Sequence, residues 1–343
     1  MEPTIIAIDL AKSVFQVHFV EPDTGAIHSK VLKRAQLKPF FVNRARCRVV
    51  MEACGSAHHW ARQLAALGHD VQLITAQFVR PFVKSNKNDA ADAAAIWEAA
   101  QRPGMRFVAV KTEDQQAMLA LHRMRQQLVR IRVMQVNQLR GLLYEFGVVL
   151  PQGRRTAIEA AKASLASLAE QLPAMLTDSL QDQISRLLVL DEQIQRIEQR
   201  ITEWRRGDEA CRRISEIPGV GLLTATAAVA VIGNALTFRS GREFAAYLGL
   251  VPRQNGSGGK VKLGGISKRG DVYLRTLLIH GARSVISSSR HLPERMRAML
   301  ARRPTNVVAV ALANKVARMI WALLAYGRTY QPPTSTPAEQ HCN

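Results

Sequence analysis

The sequence has 343 residues, and its 47 Lys and Arg against 27 Asp and Glu give a formal charge of +20. A positive surplus of this size favours a polyanionic partner, with nucleic acid ahead of an anionic membrane, and fits small neutral substrates poorly. Hydrophobic residues make up 47% of the chain. This fraction excludes a disordered basic tail and predicts two or three domains with buried cores.

The N-terminus and the cysteines indicate a reducing, cytosolic environment. The start MEPTIIAIDL lacks the basic region and cleavage site of a signal peptide, and we identify no apolar run of the roughly 18 residues that a membrane span needs. The cysteines, Cys47, Cys54, Cys211 and Cys342, are scattered without the spacing of a zinc site. We therefore predict free thiols and a cytosolic location.

The N-terminal part of the chain alternates strand-like and helix-like segments. The strand-like segments are IIAIDL, VFQVHFV, CRVVMEA and HDVQLITA. The first two predict a hairpin. The helical segment AHHWARQLAALG separates the last two, and this order of strand, helix and strand predicts an α/β sheet. An Ala-rich helix is predicted over residues 90–100, closed by Pro103 and Gly104.

One long basic helix is predicted over residues 112–146, where Gly141 is the only Gly or Pro. Glu113 and Asp114 provide the negative charge that a helix N-terminus prefers. The arginines of this helix, among them Arg123 and Arg130, form either a solvated face or a nucleic-acid contact, and the total charge of the chain favours the contact.

A second long helix is predicted from apolar residues at alternating steps of three and four, with only Gln183 breaking the pattern. These residues are Leu180, Leu187, Leu190, Ile194, Ile197, Ile201 and Trp204. So narrow an apolar stripe predicts a coiled coil with one partner helix. The partner is either a second copy of the chain, which would make it a homo-oligomer, or the preceding long helix. The sequence leaves both alternatives open.

Four acidic residues form a possible metal site. Asp9 closes the strand IIAI, Glu52 closes RVVM, and Asp89 and Asp92 lie one turn apart at the start of a helix. If the strands are neighbours and the helix begins over them, the carboxylates converge, and such hard oxygen ligands suit Mg²⁺ or Mn²⁺. Singly, each acid could be a turn or capping residue. Together they favour metal ligation.

Positive charge lies next to these acids in the sequence. Lys84 and Lys87 precede Asp89 and could hold a scissile phosphate, although solvated loop lysines are an equal alternative. Two divalent ions about 4 Å apart would clamp the attacking and leaving oxygens of a phosphodiester transfer. The acids and lysines together point to chemistry on a nucleic-acid backbone.

A third, C-terminal module is predicted from about residue 207 to Tyr330, where glycine and basic residues dominate. The segment IPGVG followed by LLTATAAVAVIG resembles a helix-hairpin-helix. In that motif paired glycines, here Gly219 and Gly221, let the backbone approach a phosphate. A tight turn between packed helices is the structural alternative.

Glycines and cations alternate from Val251 to Gly270. From composition we interpret this segment as a flexible basic loop that follows a nucleic-acid backbone, with Ser257 as a turn residue. The candidate contacts are Arg253, Lys260, Lys262, Lys268 and Arg269. Residues 331–343 are rich in Pro, Ser and Thr and are predicted to be disordered.

From Ile5 to about Gly327 the chain resembles the insertion-sequence transposases of the IS110 group, including its IS1111 branch. The shared motifs are Ile8-Asp9, MEACG at 51–55, KNDAAD at 87–92, IPGVG at 217–221, AYLGLVPR at 246–253 and GISKRG at 265–270. The resemblance implies a DEDD-type DNA recombinase that is guided by a structured non-coding RNA, called a bridge or seeker RNA.

The resemblance also implies an architecture. It comprises a RuvC-like (RNase H-like) α/β domain over 1–108, an α-helical coiled-coil middle over 109–206, a mainly α-helical transposase domain with the helix-hairpin-helix-like motif over 207–330, and a disordered tail over 331–343. Implied partners are donor and target DNA, the guide RNA and further copies of the chain, as a dimer or tetramer. The implied location is the bacterial cytoplasm, at the nucleoid.

By the same resemblance, the catalytic residues are Asp9, Glu52, Asp89, Asp92 and Ser257, of which the four acids bind Mg²⁺ or Mn²⁺. Ser257 would be a nucleophile that forms a covalent phosphoserine link to DNA. No His or Lys near Ser257 is an obvious activating base, so the implied site is composite. Two alternatives remain open: a RuvC-like structure-selective nuclease that uses water, and a non-catalytic nucleic-acid-binding protein.

Overall fold

The computed structural model describes residues 4–83, 88–168, 172–258, 260–288 and 292–332. Its contacts group the chain into two units, Met1–Gln115 with Ile232–Arg239, and Gln116–Val231 with Ser240–Asn343. The three-domain division with boundaries near residues 108 and 206 stays a prediction. The lysines Lys84 and Lys87, the thiol of Cys342 and residues 333–343 of the tail lie outside the described residues.

The described part of the first unit is built around a six-stranded mixed sheet. Its strands are β1 (Ile5–Leu10), β2 (Val14–Val20), β3 (Ile27–Lys33), β4 (Arg48–Glu52), β5 (Asp70–Ile74) and β6 (Phe107–Val108), in the order β3-β2-β1-β4-β5-β6. Strand β4 is parallel to β1 and β5, whereas β1–β2, β2–β3 and β5–β6 are antiparallel pairs. The predicted hairpin and α/β order are confirmed. The strands β3 and β6 were not predicted.

Helices cover both faces of this sheet. They are α1 (Leu37–Val42), α2 (Ala57–Ala65), α3 (Ala76–Val79) and α4 (Asp89–Ala100). One face of β1, with Ile6 and Ile8, packs on α1 and α2, and the opposite face, with Ala7, packs on α4. A strand that is buried on both faces needs a continuous apolar run, which is why IIAI does not alternate with polar residues.

The second unit is mostly helical. Its helices are α5 (Glu113–Glu145), which begins at the end of the first unit, α6 (Arg154–Leu168), α7 (Ala174–Gly207), α8 (Glu209–Ser215), α9 (Leu222–Ile232), α10 (Gly241–Tyr247), α11 (Val272–Ser288), α12 (Glu294–Leu300) and α13 (Thr305–Tyr326). The strands β7 (Pro252–Ser257) and β8 (Lys260–Ile266) lie between α10 and α11. The predicted long helices are confirmed in α5 and α7.

The apolar stripe of α7 packs within the chain. Leu187 is fully buried in a core to which both α5 and α6 contribute. Arg125 on α5 forms an ion pair with Glu198 on α7 at 2.6 Å, and Gln183 donates a hydrogen bond to the Gln135 carbonyl at 3.1 Å. These contacts correspond to the intramolecular alternative. The expectation of a single partner helix for α7 is wrong, because both α5 and α6 contribute to the core in which α7 packs.

Helix α13 is the core helix of the C-terminal part. Among the described helices it is the one that is long and apolar enough to cross a membrane, judged by length and composition only. The expectation that the sequence contains no such apolar run is therefore wrong. Ile320 and Ala317 are fully buried, and the helix packs on α10 and α11. Lys315 and Arg318 are exposed on it. Packing inside the unit accounts for its apolar residues.

The glycine-rich segment is a β-hairpin instead of the expected flexible loop. Strands β7 and β8 are antiparallel, with Asn255 opposite Lys262 and Ser257 opposite Lys260. Gly258, at the turn, has φ +56°. Hydrogen bonds between the backbones of two strands do not require apolar side chains. The composition of this segment therefore gave no strand signal.

Candidate active site and nucleic-acid interface

The parallel pairing of β1 and β4 places Asp9 beside Glu52 at the carboxyl ends of the two strands. Side chains alternate along a strand, so Asp9 lies on the same face as Ala7, and Glu52 on the same face as Val50. Ala7 and Val50 belong to the core that α4 covers. Both carboxylates are therefore on the side of the sheet where α4 packs.

The start of α4 carries the other two acids. Asn88 is its N-cap and accepts a hydrogen bond from the Ala91 backbone N–H at 2.7 Å. Asp89 and Asp92 lie in the first turn of the helix. Asp92 lies one turn before Ile96, which packs against the sheet, so Asp92 shares the inward face. The cap fixes where the helix begins and with it the position of both carboxylates.

Electrostatics connect the four predicted acids. Burial of the Asp9 carboxyl raises its pKa to about 6, and the negative charges of Asp92, Asp89 and Glu52 contribute to the rise in that order. A backbone hydrogen bond at Leu10 acts in the opposite direction. Like charges raise a carboxyl pKa only when they are near. The acids that are 83 positions apart in sequence, Asp9 and Asp92, are therefore neighbours in the fold.

This cluster has the donor chemistry of a divalent-cation site. Among the described residues, no three carboxylate, imidazole or thiol groups are arranged to hold one metal ion as they stand. Carboxylate oxygens are nevertheless the ligands that hard cations prefer, and a cation would offset the repulsion that, after burial, raises the Asp9 pKa. The residues that could hold it are Asp9, Glu52, Asp89 and Asp92.

Two polar residues beside the cluster were missed from the sequence. On β2, Gln16 pairs with Asp9 and is buried, and its Nε2 donates a hydrogen bond to Ser29 Oγ at 2.8 Å. His18 lies on the same face, and burial lowers its pKa. The alternation in VFQVHFV already placed both residues on one face. The sequence did not show that this face of β2 lies beside Asp9.

Ser257 ends β7 next to the turn, and its side chain lies outside the described part of the chain. Three of the predicted cations, Arg253, Lys260 and Lys262, are exposed on the same hairpin. In the backbone register of the hairpin, Ser257 pairs with Lys260.

Buried contacts hold the base of the hairpin. The guanidinium of Arg275, on α11, donates from Nη1 to the carbonyl oxygens of Leu248 at 2.9 Å and Arg269 at 2.7 Å. These two residues lie on either side of the hairpin, before β7 and after β8. Gly249 lets the two segments meet, because a Cβ there would collide with the Arg269 backbone. Arg275 was not singled out in the sequence.

The loop that follows β8 presents two more cations. Lys268 has φ +55°, a conformation that is uncommon for a residue other than glycine. Its backbone N–H donates to the Gly249 carbonyl at 3.1 Å, and the next residue is Arg269, whose carbonyl Arg275 holds. Both predicted contacts, Lys268 and Arg269, are exposed. A fixed backbone therefore displays them to solvent.

Comparison with known proteins identifies the family. Residues 6–147 match the DEDD transposase model of IS110 elements, and residues 211–297 match the model described as "Transposase IS116/IS110/IS902 family". A "Probable family 20 transposase" of Pseudomonas aeruginosa is 48% identical over 95% of this chain and 98% of its own length. The chain belongs to the IS110 family of transposases.

Two further relatives support this assignment. The "Transposase for insertion sequence element IS1328" of Yersinia enterocolitica is 44% identical and covers 95% of this chain and 98% of its own length. The "Transposase for insertion sequence element IS1111A" of Coxiella burnetii is 43% identical over 95% and 91%. The predicted resemblance, with its IS1111 branch, is confirmed. As a transposase, the protein acts on DNA.

The two glycines of the IPGVG motif differ in the transposase. Gly219 has φ +85° and lies against α11, where a Cβ would come within 2.8 Å of the Gly281 carbonyl oxygen. A Cβ at Gly221, which precedes α9, would meet no atom within 4 Å. Gly219 therefore allows the close packing of a turn on a helix, and the space beside Gly221 is open.

The arginines of α5 divide into two groups. Arg125 and Arg132 form ion pairs with acids of α7, Arg132 with Asp191 at 2.6 Å. Arg123 and Arg130 are exposed. The sequence analysis did not distinguish among the arginines of this helix. In the structure, some of them join α5 to α7 and others face solvent.

Proposed function

We propose that this transposase is an RNA-guided DNA recombinase that excises and inserts its insertion sequence, with Ser257 as nucleophile and a covalent phosphoserine link to DNA as intermediate. The observation that supports the proposal is the placement of Asp9 and Glu52 at the ends of adjacent parallel strands, on the face covered by α4, whose first turn carries Asp89 and Asp92. A protein that only bound nucleic acid would gain nothing from four mutually repelling carboxylates in a chain of charge +20.

We propose a RuvC-like, RNase H-like fold for the N-terminal domain. The strand order β3-β2-β1-β4-β5, with an antiparallel β1–β2–β3 meander and parallel β4 and β5, supports this assignment. So does the position of the acids at the carboxyl ends of two adjacent parallel strands, where crevices form in open α/β sheets.

The four carboxylates would hold Mg²⁺ or Mn²⁺. When bound, such a cation polarises a phosphodiester and stabilises the attacking and leaving oxygens. The Oγ of Ser257 loses its proton and forms a bond to phosphorus, while the bond from phosphorus to a deoxyribose oxygen breaks and that oxygen takes up a proton. Rejoining reverses these changes with the hydroxyl of a new strand, so no water is consumed.

Exposed cations would bind the phosphates of DNA and of the guide RNA. Only 6% of residues are aromatic, which suits phosphate contacts better than base stacking. The proposed contacts are Arg123, Arg130, Arg253, Lys260, Lys262, Lys268 and Arg269, with the backbones of Gly219 and Gly221. Assembly into a dimer or tetramer and a location in the bacterial cytoplasm at the nucleoid are parts of the same proposal.

The deciding experiment replaces Ser257 with Ala and assays strand exchange between plasmids that carry the element junctions. We expect Ser257→Ala to lose both recombinant product and the protein-linked DNA species on denaturing gels. Asn255→Ala, an exposed residue of the same strand, is the matched control and should retain both. A nuclease that uses water would continue to cut DNA in the Ser257→Ala variant, and the recombinase assignment would then be wrong.

Two further measurements test the remaining parts. If the protein were a non-catalytic binder, Asp9→Ala would change no DNA product and no Mg²⁺ dependence. RNA that stays bound through purification should contain segments complementary to the element junctions, and ribonuclease treatment should abolish recombination. Recombination that survives complete ribonuclease digestion would exclude RNA guidance while leaving the serine chemistry intact.

A further inference from the structure

A groove of about 900 Å³ lies in the second unit between the start of α10 and the helices α12 and α13. Its floor is apolar and contains three methionines, Met296, Met299 and Met319, which are half-buried. Methionine side chains are flexible and polarisable and adapt to ligands of different shape. The volume is in the range of pockets that take a small-molecule-sized group.

Four cations line the same groove. Arg242, Arg295, Lys315 and Arg318 are all exposed, and in the described part of the chain none of them has an acidic partner within ion-pair distance. Among the described residues that line the groove, none is acidic. An apolar floor whose charged neighbours among the described lining residues are all positive fits a ligand that has a flat apolar part and negative charge beside it.

A nucleotide has this chemistry, since its base is flat and its phosphates are anionic. The base can reach an apolar floor only when it is unpaired, because a paired base is stacked inside its duplex. Proteins recognise unpaired bases mostly in loops, bulges and ends of RNA, whereas double-stranded DNA offers mainly its phosphates. Duplex DNA would leave the methionine floor without a contact.

We propose that this groove binds an unpaired nucleotide of an RNA strand, with the base on the methionine floor and the adjoining phosphates on Arg242, Arg295, Lys315 and Arg318. The inference rests on the proposed function, because it assigns a place to the RNA. The C-terminal residues are a poor alternative occupant, since Glu339 is the one acidic side chain after Pro332.

The first test measures affinity of the full-length protein for a short fluorescent single-stranded RNA over a series of salt concentrations. We expect Arg242→Ala/Arg318→Ala to bind about tenfold more weakly and to reduce the salt slope by about 1.4, which corresponds to two lost phosphate contacts on a single strand. The control is Arg297→Ala/Arg303→Ala, which removes two exposed cations outside the groove lining and should change affinity much less.

The second test locates the base by photocrosslinking with the same RNA containing 4-thiouridine. We expect crosslinks in the peptides of α12 and α13, and we expect Met299→Gln to weaken them while leaving the melting temperature unchanged. Met299 is half-buried, so the substitution changes the chemistry of the floor without opening a core. Unlabelled single-stranded RNA should compete with the probe for all of its binding. Duplex DNA should compete only for the part of the binding that depends on salt concentration.

Distinct outcomes would overturn distinct claims. If wild type binds RNA but both double variants bind equally well and crosslinks fall elsewhere, the groove assignment is wrong and RNA guidance stands. If wild type binds no RNA yet recombines DNA, both the groove assignment and RNA guidance are wrong. Protein–protein crosslinks through the groove in the absence of RNA, or stronger competition by single-stranded DNA than by RNA, would assign the groove to another occupant.

Discussion

Strand β1, which ends in Asp9 and Leu10, lies inside a six-stranded sheet, and Ile6, Ala7 and Ile8 have no exposed surface. In the hairpin that carries Ser257, every described residue from Pro252 to Gly265 is exposed. Strand β1, and with it Asp9, is therefore positioned by burial in a core, and the hairpin by backbone contacts at its base. Substitutions at the acids should affect chemistry without loosening the fold, whereas the hairpin should be sensitive at residues far from its tip.

The largest expected effect is that of Glu52→Gln on DNA cleavage. The substitution keeps the shape of the side chain and removes one negative oxygen ligand from the cluster, so we expect Mg²⁺-dependent strand cleavage to fall about 10²–10⁴-fold. A time course of plasmid cleavage measures it. Glu21→Gln, in an exposed turn of the same domain, is the control. Cleavage at the wild-type rate would remove Glu52 from the site.

The second effect is a loss of stability in acid that depends on His122, which joins three helices of the second unit. Its Nε2 lies 3.0 Å from Thr226 Oγ1, whose hydroxyl donates to the Leu222 carbonyl, so Nε2 carries the proton and Nδ1 accepts from the Tyr273 hydroxyl at 3.0 Å. Burial, and then the charge of Arg125, lower the His122 pKa to about 4. The folded protein therefore favours neutral His122.

The pKa of His122 in the folded protein lies below the ordinary value of 6.5. The contribution of neutral His122 to the free energy of unfolding is therefore complete above about pH 6.5 and declines as the pH falls towards about 4. The full difference corresponds to roughly 3 kcal/mol. Hydrogen exchange of the α9 and α11 amides at several pH values measures it. In His122→Gln the protection of these amides should change much less over the same range, and an unchanged decline would show that another group titrates.

Arg275→Gln should have a smaller effect, confined to the hairpin. The shorter side chain cannot reach both the Leu248 and Arg269 carbonyls, and each buried acceptor left without a donor costs about 1–3 kcal/mol. We expect faster exchange of the β7 and β8 amides and weaker strand exchange, with divalent-cation binding unchanged.

Two variants sharpen this prediction for the hairpin. Arg275→Lys keeps the charge and a single donor nitrogen and should restore part of the activity. Arg283→Gln, on the exposed side of the same helix, is the control for loss of an arginine. Wild-type exchange in the Arg275→Gln hairpin would show that the glycine contacts alone hold its base.

The smallest expected effect is a gain of stability in Asp92→Asn without divalent cation. Removing this charge relieves part of the repulsion that, after burial, raises the Asp9 pKa, so the melting temperature should rise by roughly 1–3 °C. Wild type should be stabilised by added Mg²⁺ and the variant much less. Asp114→Asn, which removes a first-turn acid of α5 outside the cluster, corrects for the helix-dipole contribution.

Periodicity and caps predicted much of the fold. The apolar runs of β1 and β4, the Ala-rich helix α4, which begins at Asp89 one residue before the predicted start, and the uninterrupted pattern of α5 all follow from local rules that the structure obeys. The acids of the candidate site were predictable for the same reason, since each stands at the end of a strongly patterned element. Their mutual repulsion, expected from that placement, is present in the raised pKa of Asp9.

Other elements carry too little local signal. Strand β3 is an edge strand with exposed Ile27 and Val31, so it lacks the alternation of a half-buried strand. The hairpin of β7 and β8 is held by backbone pairing, which leaves no trace in side-chain pattern. The second partner of α7 was missed because α6 shares a core that a heptad count on one helix cannot reveal.

The sequence by itself determined the charge, the elements that carry the acids and the family, because these depend on residue type and on spacing within one turn or one strand. Tertiary structure alone decided which arginines of α5 are paired, that Gly219 packs against Gly281, and that Arg275 holds both sides of the hairpin base. Those contacts join residues far apart in the chain, and only folding brings their atoms within reach of one another.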